Sequence, residues 1–327
     1  EGLQDTAAPL DRSVASPAHC GADGGEYCAI WLGPEMPGDQ RQDDALSVCF
    51  DSGPLAQQMD ILGAPRLRLR LACDKPQGQI AVRLNHIHPD GASARITYGV
   101  LNLSHRDSAE HPQAMAPGAM TDITLDLDHI AYRIPKGHRL RVSISTAYWP
   151  LLWPAPEAAE VTLSSGQIDL PQRPTSGGDE YSFAPPTSAA PWETETLRPE
   201  NHIRRQEIDR VTGIVSLIIG VRTDKHPVAL IIEDDFGKLR DADHGLIAGS
   251  VAREVWRIHP DDPLSAKGTC HWTEELERDD IILRTETRSQ MWSDATHFHL
   301  TARLEAYEND KLIYERDVTE DIKRHFM

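Results

Sequence analysis

Hydrophobic and polar positions in this chain follow period two almost throughout. The run Arg66-Leu67-Arg68-Leu69-Arg70-Leu71 alternates without a fault, so an extended backbone puts three leucines on one face and three arginines on the other. That is the signature of a half-buried strand. Similar segments follow as "QIAVRLNHI" (79–87), "ARITYGVLNLS" (94–104), "TDITLDLDHIAY" (121–132), "HRLRVSISTAY" (138–148) and "EAAEVTLSS" (157–165). Each is bounded by turn material such as Pro89-Asp90-Gly91, Pro117-Gly118 or Pro135-Lys136-Gly137. Helical periodicity is scarce: the stretch from Asp43 to Phe50 suits one or two helical turns or a strand lead-in. Without alternating helices the strands must pair antiparallel, and two packed sheets are the usual way to bury both inner faces.

The pattern dissolves between Thr175 and Pro199, where Pro, Ser, Thr and Gly dominate, and this segment reads as a linker. Its Tyr181, Phe183 and Trp192 would turn it into an ordered strap if they docked on a neighbour. A second series of longer strands follows: "HIRRQEID" (202–209), "GIVSLIIGVRT" (213–223), "PVALIIEDD" (227–235), "GLIAGSVAREVWRI" (245–258), "AKGTCHWTEELER" (266–278), "DIILRTETRSQMW" (280–292), "THFHLTARLEAYE" (296–308) and "KLIYERDV" (311–318). Hairpin turns are expected at Asp234 to Lys238 and at Asn309-Asp310, giving an up-and-down meander that curls toward an open barrel. The fold class is therefore all-β, with a sandwich at 36–176, a linker at 177–200 and a second antiparallel domain at 201–327. Residues 1–35 are expected to be a lead-in.

Composition narrows the function classes. A length of 327 residues with 39% hydrophobic and 26% charged residues is globular and suits two domains. The net charge of −18 is spread over both halves, so neither offers the basic stripe that nucleic acid or anionic lipid requires. The longest uncharged stretch, Val142 to Pro156, is interrupted by Pro150 and Pro154 and falls short of a membrane span. Neither nucleic acid nor a membrane is an expected partner. The five cysteines, Cys20, Cys28, Cys49, Cys73 and Cys270, are odd in number and contain no C-x-x-C pair. They read as reduced thiols in a cytoplasmic setting, with a Cys20 to Cys28 bridge the one alternative left open. Glu1 has no initiator Met before it, which is the pattern of a fragment.

Candidate chemistry is sparse. No serine sits in a G-x-S-x-G elbow; the nearest approach, Gly91-Ala92-Ser93-Ala94-Arg95, has Arg95 in place of the second glycine. The pairs His86 with His88 and His297 with His299 each put two imidazoles on one strand face, but two ligands do not make a zinc site. Each pair therefore reads as surface or hydrogen-bonded core histidine. Asp39, Asp43 and Asp44 lack calcium-loop spacing and read as a solvated face. No cofactor and no metal is expected, and no catalytic residue. Two segments remain. Tyr148, Trp149 and Trp153, interleaved with prolines, suit core filling, an aromatic anchor at an interface, or a sugar platform. His105 and Arg106, in the connection leaving a strand, suit loop fixation or pocket shaping, Arg106 through bidentate bonding.

Six blocks of sequence carry a resemblance: "PGDQRQDDALSVCFDSGPL", "ILGAPRLRLRLACDKP", "AVRLNHIHPDG", "TYGVLNLSHRDS", "PKGHRLRVSISTAYWPLLWPAPE" and "IDLPQRP". In order and spacing, from about Met36 to Pro174, they resemble the X-prolyl dipeptidyl-peptidase C-terminal domain of the CocE/NonD (cocaine esterase type) hydrolases. The resemblance implies a jelly roll of galactose-binding-like topology. It also implies that an N-terminal α/β-hydrolase domain of the same polypeptide supplies the nucleophilic serine, the acid and the histidine. None of those positions maps onto this sequence. The expected role is non-catalytic, covering one side of the active site of a serine hydrolase and supporting assembly, with a homo-oligomer open. An independent carbohydrate-binding sandwich is the alternative, and it requires Trp149 and Trp153 exposed and coplanar.

Overall fold

The computed structural model describes residues 8–27, 35–174, 176, 178, 181–209, 214–216 and 228–327. Cys28 and most of the strand expected at 213–223 lie outside them. The chain divides into two compact units. Unit 1 comprises residues 1–174, His259–Leu264 and Arg324–Met327; unit 2 comprises Thr175–Ile258 and Ser265–Lys323.

Unit 1 contains β1 (Ala8–Val14), the short helix α1 (Arg41–Asp44), β2 (Val48–Asp51), β3 (Met59–Gly63), β4 (Arg66–Cys73), β5 (Gln79–Ile87), β6 (Ser93–Asn102), β7 (Thr121–Asp126), β8 (Ile130–Ile134), β9 (Arg139–Ser145) and β10 (Val161–Asp169). They form two four-stranded antiparallel sheets, β1-β10-β4-β7 and β2-β9-β5-β6, with β3 and β8 paired alongside. The segment expected as a lead-in thus supplies an edge strand, because β1 pairs with β10.

The alternation in β4 works as its pattern demands. Leu67, Leu69 and Leu71 are buried, and the arginines between them face outward to carboxylates on the flanking strands. Arg66 grips Asp126 with two bonds (2.5 and 2.9 Å), Arg70 pairs with Asp122 (3.3 Å) and Arg68 bonds Asp169. Such exposed cross-strand pairs each contribute a fraction of a kcal/mol, on the order of 0.2–1, and chiefly secure register. The leucines meet Ile80, Val82 and Leu84 of β5 and Val142 and Ile144 of β9 in one hydrophobic cluster. Every residue of β5 except Gln79 is buried, so both faces are covered: Ile80, Val82 and Leu84 join the hydrophobic cluster, while Arg83 and Asn85 on the other face are buried as polar groups.

The strands of unit 2 are β11 (Thr194–Arg198), β12 (Asn201–Asp209), β13 (Ile214–Ser216), β14 (Val228–Asp241), β15 (Ile247–His259), β16 (Asp262–Arg278), β17 (Ile281–Ser293), β18 (His297–Glu308) and β19 (Lys311–Lys323), save that His259 and residues 262–264, at the β15–β16 turn, belong to unit 1. These build an open antiparallel meander in the order β13-β12-β14-β15-β16-β17-β18-β19, with β11 also on β14. Among the described residues the sheet stays open and does not close into a barrel. The segment that reads as a linker contains β11, and Trp192 donates its indole N–H to Asp241 (2.6 Å), so this end is tied down. Tyr181 and Phe183 are exposed and pack edge to face on each other.

Asn309 and Asp310 make the expected turn, with φ of 48° and 63°, the two left-handed residues of a type I′ hairpin. Asp234 to Lys238 does not make one. There β14 runs straight through, and the register slips between Asp235 and Lys238 at a bulge where Gly237 takes φ 82°. The same residues suit a turn or a bulge, and pairing on both sides of β14 selects the bulge. No helix among the described residues is long and apolar enough to cross a membrane.

Candidate functional site

Tyr148, Trp149, Trp153, His105 and Arg106 all lie in unit 1, as do His86 and His88, whereas His297 and His299 lie in unit 2. Tyr148, Trp149 and Trp153 follow β9, and the Trp149–Pro150 peptide bond is cis. Tyr148 is wholly buried; its hydroxyl accepts a bond from Arg95 Nη1 (2.5 Å), and burial pushes that hydroxyl up to about 12. Trp149 is only 2% exposed, and its ring meets that of the half-buried Trp153 at 67° with centroids 5.4 Å apart. A sugar platform needs two exposed, coplanar rings, so the carbohydrate-binding alternative loses its surface. The corner is closed from the other side by Gly21. There an added Cβ would lie 2.6 Å from the Tyr148 carbonyl carbon, and the Trp149 N–H bonds the Cys20 carbonyl at 2.7 Å.

Asp43 and Asp44 are not a solvated face. Both are buried, and Asp39 alone of the three stays at the surface, paired with Arg41. The reason lies in β5, whose Arg83 is fully buried and must have anionic partners: it lies 3.3 Å from Asp44 and 3.7 Å from Asp43. Asp44 also accepts bonds from Asn85 (3.0 Å), Ser143 (2.7 Å), Ser93 (2.8 Å) and Arg141 (3.1 Å). Asp43 accepts the Gly21 and Asp23 N–H groups. Ser93, the centre of the nearest approach to a nucleophile elbow, is thus a buried hydroxyl committed to a carboxylate at the start of β6. A lone arginine inside an apolar strand was the signal that could have revealed this network.

His105 ends a 3-10 turn, Leu103–His105, in which the Ser104 N–H donates to the Asn102 side chain (3.0 Å). Arg106 donates to the carbonyls of Leu103 (3.0 Å) and Gln113 (2.9 Å), so its guanidinium closes the following loop. His105 lines an open cavity of about 690 Å³ together with His111, His325 and Phe326. The bonds and ring contacts of His105 and Arg106 do not include Tyr148, Trp149 or Trp153, so the five candidates do not form one constellation.

A different group does converge. His86 near the end of β5, His88 just beyond it and His138 just before β9 bring three ligand nitrogens within 4.8 Å of one another. His86 and His88 stack at 4.1 Å, as their shared strand face requires. His86 Nε2 and His138 Nδ1 share a hydrogen bond of 2.6 Å, and His86 Nδ1 bonds the Tyr132 hydroxyl of β8 at 2.9 Å. Burial first, then the neighbouring His88 and His138, lowers the His86 imidazole to about 4. Tyr132 and His138 were invisible to local pattern, because they enter from a strand and a turn 46 and 52 residues away. By contrast His299 lies on unit 2 between Asp321 and Asp294, against the Trp292 ring. Among the described residues four thiols, Cys20, Cys49, Cys73 and Cys270, are free, and the Cys28 of the Cys20 to Cys28 alternative lies outside them. Burial raises each, Cys20 to about 12.

Comparison with known proteins agrees with the sequence blocks. Residues 3–189, more than half of the chain, match the family described as the X-Pro dipeptidyl-peptidase C-terminal non-catalytic domain. A cocaine esterase of Rhodococcus sp. (strain MB1 Bresler) is 23% identical over 122 residues, covering 36% of this chain and 21% of that protein. A putative serine esterase of Mycobacterium bovis is 25% identical over 156 residues, covering 41% and 25%. The chain thus spans about a fifth to a quarter of the length of these curated relatives. A solved structure described as an alpha-amino acid ester hydrolase aligns with a TM-score of 0.43 and 16% identity, over 52% of this chain and 33% of its own. On the strength of the match over residues 3–189, the chain belongs to the X-Pro dipeptidyl-peptidase C-terminal non-catalytic domain family.

Proposed function

We infer that these residues serve as the non-catalytic C-terminal region of a serine hydrolase, packing on an α/β-hydrolase domain of the same polypeptide. There the region shapes the active site and supports assembly, and unit 1 is a jelly roll. The observation that carries this reading is the family match over residues 3–189 in a sequence with no G-x-S-x-G elbow. A triad accelerates acyl transfer only when nucleophile, base and oxyanion donors are assembled, and Ser93, the nearest candidate, is bound to Asp44 instead. The curated relatives, a cocaine esterase and a putative serine esterase, point to ester or X-prolyl peptide hydrolysis by the parent enzyme. Four free thiols favour a reducing compartment such as the cytoplasm.

The test has two arms. The purified 327-residue chain is expected to show no nitrophenyl ester turnover above buffer and no labelling by a fluorophosphonate probe. The reading frame extended upstream is expected to encode the serine elbow and to hydrolyse the same esters. Serine-specific labelling of the chain alone would overturn the proposal, as would an extended frame without an elbow.

A further inference from the structure

We propose that His86, His88 and His138 form a binding site for a divalent transition-metal ion of the zinc type, with Tyr132 orienting the innermost ligand. The first ground is convergence. Three imidazoles from β5, the turn after it and the turn before β9 place their ligand nitrogens within 4.8 Å of one another. Zinc–nitrogen bonds of about 2.0–2.1 Å in tetrahedral geometry hold ligand nitrogens roughly 3.3 Å apart. The 2.6 Å contact between His86 Nε2 and His138 Nδ1 must therefore open by less than an ångström, roughly, and the ion takes the place of that hydrogen bond. His88 and His138 are only partly buried and can turn to meet it, while His86 is buried and held.

The second ground is the hydrogen bond behind the ligand. A ligating histidine typically donates its other ring N–H to an oxygen, which fixes the tautomer and the ring. Tyr132 Oη stands 2.9 Å from His86 Nδ1, the nitrogen that faces away from His138. With the proton on Nδ1 and donated to Tyr132, Nε2 presents its lone pair to the ion. His138, which meets the ion through Nδ1, then carries its proton on Nε2, the tautomer that leaves Nδ1 free to ligate.

The donor set determines the kind of ion. Three imidazoles without a carboxylate suit zinc, nickel, cobalt or copper, whereas calcium and magnesium require oxygen ligands. Three protein ligands leave one position of a tetrahedral ion for water. The site would also tie β5, in the four-stranded sheet, to the turn that joins β8, in the two-stranded sheet, to β9. Binding would therefore raise the thermal stability of unit 1.

The experiment uses the full chain, freed of metal with a chelator and titrated with Zn²⁺ by calorimetry and with Co²⁺ by visible absorption. One equivalent is expected to bind at micromolar concentration, with imidazole-type cobalt absorption. His88→Gln and His138→Gln, both at partly exposed positions, should each lower affinity at least 10-fold while leaving circular dichroism unchanged. Tyr132→Phe should lower it about 10-fold, and the double variant His297→Gln/His299→Gln should leave it intact. Absence of stoichiometric uptake by the wild-type chain would overturn the proposal. So would uptake that survives in His88→Gln and His138→Gln, or that disappears with the His297/His299 pair. None of these readouts depends on hydrolytic activity.

Discussion

Arg83 and Asp44 face each other at 3.3 Å with almost no solvent at either side chain, and they are the hinge of the polar network beneath the first unit's central strand. Removing one member of a buried pair leaves the other charge desolvated, a loss of about 3–5 kcal/mol. Arg83→Met is expected to destabilise the chain by that amount in urea unfolding followed by near-ultraviolet circular dichroism. The surface change Arg70→Met, which breaks only an exposed pair with Asp122, should cost at most about 1 kcal/mol.

Gly21 supplies a backbone that no other residue can adopt without strain. Its φ is 115°, and a Cβ there would collide with the backbone of Tyr148 and Trp149 at 2.6–2.8 Å. Gly21→Ala should therefore displace the aromatic corner, with a red shift of tryptophan emission and lowered thermal stability. Gly53→Ala, where a Cβ meets nothing within 4 Å, should leave both unchanged.

The imidazole of His299 is raised above its ordinary 6.5, first by its hydrogen bond to Asp321 and then by that to Asp294. A raised value in the folded state means that the folded chain holds this proton more tightly than the unfolded chain does. The stabilisation is fully present below about pH 6.5 and is lost as pH rises through the folded value. Nuclear magnetic resonance titration should give a His299 midpoint above 6.5, and Asp321→Asn should bring it down.

The Asn309-Asp310 turn gives a cheap check on the second unit. A β-branched residue at a φ of 63° is strained by about 1–2 kcal/mol, so Asp310→Val should lower stability by that much. Asp310→Gly should be tolerated. Equal stability of the two variants would show that the turn is not left-handed at this position.

Sequence pattern read well wherever the relevant property is local. The buried leucines and outward arginines of Arg66 to Leu71, the shared face of His86 and His88, and the Asn309-Asp310 turn all follow from period two and from φ preferences within a few residues. It read poorly wherever an outcome depended on a distant partner. Asp43 and Asp44 look solvated until Arg83 is placed over them, and Asp234 to Lys238 looks like a turn until strands pair with β14 on both sides of it.

The sequence by itself determined the all-β class, most of the strand positions, the absence of a serine elbow and the family resemblance. Those are properties of residue order and spacing. Only the tertiary structure decided which charges are buried, that Tyr148 and Trp149 fill a corner rather than present a face, and that His138 and Tyr132 join His86 and His88. Burial and convergence are set by which strands become neighbours, and that choice is made by the packing of the whole unit rather than by any stretch of ten residues.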